Sequence, residues 1–377
     1  MYLNNIICLA TCLSFALPAL AGPALQKRVT WGPVADATIK VADPSASAPG
    51  VWYGRSEIIG DTLYATERST YSEPPVFPIH KSTDGGKTWT HISDVKDTVN
   101  GWGLRYQPHL YILKNDMGGY AAGTMLLAGN SVPEDLHATY IDLYASTDKG
   151  VTWKFVSNIA IGGEAVSQNG HDPIWEPFLM EYDGRLICYY SDQRDPAHGQ
   201  KLVHQSTTDL RNWDDVKTDV ANPKYSERPG MPTVALMPNG KYILFYENVG
   251  RESSNGGVPV YYRISSDPFN FNDADEHRLI AANGYAPNGG SPYVTWTSAG
   301  GPNGMVIANS ADTGYLYTNT NLGDPGSWKQ FATGGTAPAY SRSLRILPDP
   351  TYVLIVGAGK SHSQTNGRVR ADVVKLT

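Results

Sequence analysis

The chain has 377 residues and a formal net charge of −6, and it contains 38 glycines and 26 prolines. The acidic balance argues against a nucleic-acid partner, because binding to phosphate backbones needs clustered positive charge. Length alone allows two or three domains, but this much glycine and proline is typical of one fold with many tight turns.

The first residues predict a leader rather than a membrane span. An apolar run from Ile6 to Leu20 is short and ends in small residues at Ala19-Leu20-Ala21, as a secretory signal peptide does. We therefore expect residues 1–21 to be a signal peptide and residues 22–28, which end in Lys27-Arg28, to be a candidate propeptide. Residues 29–377 would then form one secreted, extracellular domain without a membrane segment.

The strongest local signal is an octapeptide that occurs twice, as STDGGKTW at residues 82–89 and STDKGVTW at residues 146–153. Its Asp, Gly and Thr predict a tight turn between antiparallel strands. The aspartate would accept backbone N–H bonds, a glycine would take positive φ and the tryptophan would pack beneath. This pattern is the Asp box, and weaker copies begin near residues 206, 265 and 318.

A second repeat runs in phase with the first. It consists of an apolar strand, a short turn and another apolar strand, and its six copies begin near residues 53, 107, 175, 231, 291 and 341. Strand-rich units repeated every roughly 50–65 residues predict a β-propeller. Six hairpins against five boxes predict six four-stranded antiparallel blades, each with inner strands A and B and with outer strands C and D joined by a box.

The sixth blade lacks one outer strand. After Val356 the sequence predicts a single further strand from Val369 to Leu376, whereas residues 29–41 are rich in β-branched side chains. An N-terminal strand that completes the last blade would remove an exposed edge. We therefore expect an all-β, six-bladed β-propeller, closed by its N-terminal strand and monomeric.

The strand order also predicts which face carries chemistry. The start of each A strand and the end of each B strand share one face, and the boxes lie on the other. Polar side chains concentrate at the first face among aromatic ones, which is typical of a carbohydrate site. A histidine like His171, in a His-Asp pair before a strand, more often lies in a turn with a satisfied imidazole, and Arg194 fits a bracing role in a loop equally well. The candidate substrate-binding residues are Arg55, Trp102, His109, His171, Trp175, Arg194, Asn288, Ser291 and Arg342.

Two carboxylates stand out at this face. Glu176 begins an inner strand in IWEPF, and Glu247 ends the second strand of the next blade in YEN. Cleavage of a glycosidic bond needs two carboxyl groups, one to protonate the leaving oxygen and one to attack the anomeric carbon or activate water. Apolar neighbours would raise the pKa of Glu176 and favour it as the acid. Alternatively, each is an ordinary strand-end glutamate paired with an arginine. No residue spacing indicates a metal, and no cofactor is expected.

The Asp boxes and six blades resemble the sialidase clan. Sialidases hold an anionic sugar with three arginines, the first in a Phe-Arg-Ile-Pro motif, and this chain has YGRS at residues 53–56 instead. A closer resemblance, over essentially all of the mature chain, is to the fungal exo-α-1,5-L-arabinanases of glycoside hydrolase family 93. The segments around Glu176 and Glu247 carry it, together with PAYSR at residues 338–342.

This resemblance implies a retaining enzyme of plant cell-wall degradation that releases arabinobiose from the non-reducing ends of linear arabinan or arabino-oligosaccharides. It makes Glu176 the general acid/base, Glu247 the nucleophile and Tyr340 the donor of a hydrogen bond that keeps Glu247 ionised. Three rival hypotheses remain. One is a sialidase-like exo-glycosidase acting on another sugar, with Arg55, Arg228 and Arg342 as the arginines. The second is a propeller lectin without catalysis, and the third is a structural or receptor propeller, which would have no concave polar mouth.

Overall fold

The computed structural model describes residues 29–41, 50–68, 73–252, 256–359 and 367–377. The predicted signal peptide and the candidate propeptide lie outside the described residues. The described ranges form twenty-four β-strands and one 3-10 turn, Pro325–Ser327. They contain no helix that is long and apolar enough to cross a membrane.

The strands form six antiparallel sheets of four strands each, and this confirms the predicted six-bladed propeller. Blade one consists of β2 (Trp52–Ile59), β3 (Thr62–Arg68), β4 (Phe77–Ser82) and β5 (Thr90–Val95). Blade two consists of β6 (Leu104–Ile112), β7 (Met125–Ser131), β8 (Thr139–Ser146) and β9 (Lys154–Gly162). Blade three consists of β10 (Ile174–Tyr182), β11 (Arg185–Asp192), β12 (Lys201–Thr207) and β13 (Lys217–Val220).

The remaining blades follow the same plan. Blade four consists of β14 (Arg228–Leu236), β15 (Tyr242–Val249), β16 (Val260–Ser265) and β17 (Glu276–Arg278). Blade five consists of β18 (Val294–Thr297), β19 (Met305–Ala308), β20 (Leu316–Asn319) and β21 (Lys329–Phe331). Blade six consists of β22 (Ser343–Ile346), β23 (Tyr352–Gly357), β24 (Arg368–Lys375) and β1 (Val34–Val41).

The ring closes as the sequence predicts. Strand β1 pairs antiparallel with β24, so residues from the two ends of the chain share the last blade. The backbone N–H of Asp36 donates to Asp372 Oδ1 over 2.7 Å, which ties the register of this pair. The closing strand begins at Val34, five residues later than the earliest residue that the sequence favoured.

The turns between the outer strands lie where the octapeptides predict them. In blade one, Asp84 Oδ1 accepts the backbone N–H groups of Lys87 and Thr88 over 3.1 and 3.0 Å. Gly85 and Gly86 take positive φ, and the Trp89 indole donates to the Gly86 carbonyl. Blade two repeats the arrangement around Asp148. The turns serve the fold, because they connect outer strands at the ends away from the start of each inner strand.

Each inner strand enters the ring through a residue with left-handed backbone conformation. In blades one to four the pairing with the second strand slips at this residue, so it forms a β-bulge. A proline follows it in blades two to five. The six residues and their φ values are Tyr53 (63°), Gln107 (57°), Glu176 (66°), Met231 (57°), Ser291 (50°) and Ser341 (54°).

Neighbouring blades pack tightly against each other. Gly129 of β7 faces the fully buried Phe77 of blade one, and a Cβ atom at Gly129 would lie 2.4 Å from Phe77 Cε2. A glycine is required here because the ring of the neighbouring blade fills the space of a side chain.

We expect Gly129→Ala to lower the free energy of unfolding by about 1–3 kcal/mol, because the added methyl group overpacks the interface between blades one and two. Urea denaturation would measure the change. Gly32→Ala is the matched control, since nothing lies within 4 Å of a Cβ at that position. Equal stability of the two variants would contradict the packing argument.

Candidate active site

A cavity of about 410 Å³ opens at the face where the inner strands begin. Blades two, three and four form most of its wall, and the segment before blade six contributes one tyrosine. The lining residues are Tyr106, Gln107, Ala165, Ser167, Trp175, Glu176, Gln200, Arg228, Glu247, Val249 and Tyr340.

The two predicted glutamates meet across the backbone of Gly230. A Cβ atom at Gly230 would lie 3.3 Å from Glu176 Oε2 and 3.6 Å from Glu247 Oε1. These distances are two sides of a triangle, so the two carboxylate oxygens are at most about 7 Å apart. Residues 71 positions apart in the chain thus face one sugar-sized space, because blade four stacks against blade three.

Glu176 is placed by the left-handed residues of the neighbouring blades. Its own N–H donates to Gln107 Oε1 over 3.0 Å, and the Met231 N–H donates to Glu176 Oε2 over 2.6 Å. From blade two to blade four, the side chain of each bulge residue therefore accepts from the N–H of the bulge residue in the next blade. The buried hydroxyl of Ser191 adds a second donor to Glu176 Oε2 at 2.7 Å.

Glu247 is held from blade five. The N–H of Ser291 donates to Glu247 Oε2 over 2.6 Å. The carboxylate fits against Gly290, where a Cβ atom would lie only 2.3 Å from Oε2, and the φ of +62° at Gly290 also favours glycine. Glu247 is thus the acceptor for the N–H of Ser291, because Met231, the bulge residue of blade four, has an apolar side chain.

Burial and proximity set the protonation of this pair. Burial raises the pKa of Glu176, and the Ser191 and Met231 donors together with the Arg228 and Arg55 charges oppose the rise. Burial and then the charge of Glu176 raise the pKa of Glu247 to about 8. A pKa of about 8 keeps Glu247 protonated at neutral pH. Glu176 has more hydrogen-bond donors that stabilise its charged form.

Arg228 is the cation beside the pair. Its Nη2 donates to the side-chain oxygens of Gln193 and Gln200 over 2.8 and 3.1 Å. Burial lowers the pKa of Arg228, and the charges of Glu176 and Glu247 raise it. The two amide contacts orient the guanidinium without neutralising it, so its charge remains available to the carboxylates.

Two tyrosines border the glutamates from the other side. Tyr340 lines the cavity, and burial followed by the charges of Glu247 and Glu176 raises the pKa of its phenol. The ring of Tyr53 lies 6.1 Å from that of Tyr340, and burial likewise raises its pKa. Both phenols therefore stay protonated and can donate a hydrogen bond towards the carboxylates.

Three of the predicted substrate-binding residues contribute near the pair in different ways. Trp175 lines the cavity, and its indole donates to Gln193. Ser291 acts through its backbone N–H. Arg55 lies beneath the cavity and is 4% exposed, and its guanidinium donates to Ser341 and stacks 4.0 Å from the Tyr53 ring centroid.

The other predicted residues do not line this cavity. His171 pairs with Glu164, and Arg194 forms a bidentate pair with Asp192, so Arg194 braces its own loop. Asn288 accepts from Arg278. Trp102 packs edge-on against His137 and Tyr140, and His109 lies deeper in the channel against Phe178.

Arg342 is fully buried and serves the fold. It donates to the carbonyls of Ser310 and Thr313 over 2.7 and 2.6 Å and ties blade six to blade five. Of the three arginines considered for a sialidase, only Arg228 lines the cavity. The arginine cluster that an anionic sugar needs is therefore not assembled.

Several residues of the cavity are not among the predicted substrate-binding residues. Gln107 could have been found, because it precedes Pro108 as Glu176 precedes Pro177, at the same phase of the repeat. Tyr53 occupies the same phase in blade one. Tyr106 precedes Gln107 as Trp175 precedes Glu176, whereas Gln200 has no such signal. Within the described residues no group of three or more metal-ligating side chains is assembled.

Solved structures similar to this chain support a carbohydrate site. The complex of a GH93 α-L-arabinofuranosidase of Fusarium graminearum with arabinobiose is 45% identical, with a TM-score of 0.87, and the match covers 91% of this chain and 98% of that one. An α-L-arabinanase of Penicillium chrysogenum complexed with arabinobiose is 45% identical, with a TM-score of 0.86 and coverage of 92% and 99%.

A protein of unknown function from Dyadobacter fermentans shares the fold, with a TM-score of 0.60 and 15% identity over 92% of this chain and 99% of that one. No family model and no curated protein matches the chain.

The raised pKa of Glu247 makes stability depend on pH. The folded state binds a proton more tightly than the unfolded state, so the free energy of unfolding falls as pH rises from about 4.5 to about 8. We expect Glu247→Gln to remove this loss and to be more stable than the wild type by about 1–3 kcal/mol near pH 9, with no difference near pH 4.

Urea denaturation across the pH range would test this expectation. The exposed Glu252 offers the matched control, Glu252→Gln, which should follow the wild type at every pH. A Glu247→Gln variant whose stability falls with pH as steeply as that of the wild type would show that this carboxyl group is not the source.

Proposed function

Because the chain belongs to glycoside hydrolase family 93, we propose that it is an exo-α-1,5-L-arabinanase that releases arabinobiose from linear arabinan. Two relatives of 45% identity have arabinobiose in their complexes, and the match spans nearly all of this chain. The single observation that carries the proposal is the pair formed by Glu176 and Glu247, about 7 Å apart at most in one cavity.

We further propose that the two glutamates act with retention. Retaining glycosidases have carboxyl groups about 5–5.5 Å apart, whereas inverting ones separate them by about 6.5–9.5 Å to admit a water molecule. The two carboxylate oxygens are at most about 7 Å apart, so most of the separations typical of inverting enzymes are excluded. A nucleophile that contacts the anomeric carbon directly fits the available space better.

The electrostatics favour Glu176 as the nucleophile and Glu247 as the acid/base, the reverse of the assignment that the resemblance implies. Glu176 receives two short hydrogen bonds and the charge of Arg228, and these stabilise a carboxylate. Glu247 receives one backbone donor and has a pKa near 8. It therefore carries the proton that the leaving group requires at neutral pH.

The reaction then proceeds in two steps. Glu247 donates its proton to the glycosidic oxygen while a Glu176 oxygen bonds to the anomeric carbon and the leaving chain departs as an alcohol. Glu247, now ionised, removes a proton from water as the water oxygen attacks the same carbon and frees Glu176. Loss of charge at Glu176 in the first step lowers the pKa of Glu247 in the second, so the same residue can serve as acid and then as base.

The predicted signal peptide also supports secretion, because a polysaccharide substrate lies outside the cell. A lectin is less well supported, because Glu176 and Glu247 have no equivalents in the other blades: the positions of Glu176 in the ring hold Tyr, Gln, Met and Ser. We propose that the chain acts as a monomer, since one ring contains the entire cavity.

Azide rescue would assign the two roles. Either alanine variant should lose about 10²–10⁴-fold in kcat on arabinan. With an aryl arabinobioside and azide, Glu176→Ala should give the β-azide, because azide replaces the nucleophile directly. Glu247→Ala should give the α-azide, because azide attacks the covalent intermediate. Nuclear magnetic resonance distinguishes the two anomers.

The exposed Glu134 provides the control, since Glu134→Ala should leave kcat unchanged. If Glu176→Ala gave the α-azide and Glu247→Ala the β-azide, the assignment implied by the resemblance would be correct. Full activity in both active-site variants would exclude the glutamate pair as the catalytic group.

Product analysis tests the substrate and the mode of attack. Debranched arabinan incubated with the wild-type protein should yield mainly the disaccharide from the first minutes, because an exo-acting enzyme removes a fixed unit from the chain end. High-performance anion-exchange chromatography would follow the products. A ladder of longer oligosaccharides would indicate endo cleavage, and release of sialic acid from a sialoside would support the rival hypothesis.

A further inference from the structure

A second cavity lies in the axial channel below the glutamates. Its volume is about 230 Å³, and none of its lining residues belongs to the first cavity. Apolar and aromatic side chains form most of the wall, among them Phe178 and Tyr293. The polar members are His109 and Arg345 in the interior and Lys114 with Glu181 towards the opening.

His109 presents an unused hydrogen-bond donor in this channel. Its side chain is 2% exposed, and its Nδ1 accepts the backbone N–H of Leu179 over 3.3 Å. Burial, followed by the charges of Arg55 and Arg345, holds the pKa of the imidazole well below its usual range, so the ring is neutral. The proton of a neutral ring whose Nδ1 accepts must lie on Nε2. This N–H has no partner among the described residues.

Charged side chains of both signs lie around the donor. Arg55 and Arg345 are the charged groups that act on His109, and both lie on strands that line the channel. Arg345 is paired with Glu57, whose carboxylate is 6% exposed to solvent. At the opening, the carboxylate of Glu181 accepts from the backbone N–H of Lys114 and from the side-chain amide of Asn115. The side-chain ammonium of Lys114 forms no ion pair with Glu181. Arg345 and Lys114 are thus the cations that line the cavity, Glu181 is the carboxylate that lines it, and Glu57 pairs with Arg345.

We propose that this channel cavity binds a small monovalent anion, such as a halide or formate, through the Nε2–H of His109 and the field of Arg345. A buried donor without an acceptor costs free energy, and an anion beside the guanidinium of Arg345 satisfies it. A cation would meet an N–H donor and repulsive charges.

Anomalous diffraction from crystals soaked in sodium bromide tests the proposal directly. We expect a bromide peak in the channel within hydrogen-bond distance of His109 Nε2 and in the wild-type protein only. A soaked crystal of His109→Phe should lack the peak. Density that fits a water molecule, with no anomalous signal, would overturn the proposal.

Thermal unfolding gives an independent measurement in solution. Bromide at about ten times its dissociation constant should raise the Tm of the wild type by about 2 °C over sodium gluconate of equal ionic strength. His109→Phe should lose this difference, whatever its own Tm, and His109→Gln should keep part of it because glutamine retains an N–H donor. An equal bromide effect in all three proteins would show that the anion acts elsewhere.

This result is independent of the proposed catalysis. Arabinan hydrolysis by a protein with no bromide site would refute only the anion-binding proposal. A bromide site in a protein without hydrolase activity would refute only the catalytic proposal.

Discussion

The active site depends on one backbone constraint, a residue in the left-handed region at the start of each inner strand. Such a conformation costs free energy in a residue other than glycine, and it persists because the surrounding blade holds it. At Glu176 it breaks the pairing with β11 and turns both the N–H and the side chain towards the neighbouring blades. The bulges of blades two, three and four are thereby joined by hydrogen bonds from blade to blade.

The ring explains why the two glutamates can be buried together. Isolated buried carboxylates would simply bind protons, whereas here Ser191, Met231 and Ser291 supply donors and Arg228 supplies charge. The environments of the two groups differ, because the pKa of Glu247 rises to about 8 whereas more donors stabilise the charged form of Glu176. Tightly packed blades around the channel keep these donors in place without a metal or disulfide among the described residues.

Much of this arrangement could be predicted from the chain alone. The octapeptides at 82–89 and 146–153 set the phase of the repeat, and the hairpins set the number of blades, because each depends on local turn chemistry and strand periodicity. Glu176 and Glu247 could be selected because their strand ends fall on one face. The arginines could not be sorted in the same way: Arg342 donates to backbone carbonyls of the preceding blade, and Arg228 faces the cavity, although both lie at the start of an inner strand.

The sequence by itself determined the six-bladed fold, the closing role of its first strand and the two acidic residues, since turns, strand periods and residue order are local properties. Only the tertiary structure decided which polar groups surround those residues and how the proton is divided between them. Hydrogen bonds such as Met231 to Glu176 and Ser291 to Glu247 join different blades, and the radial stacking of sheets, which no local pattern encodes, sets their distances.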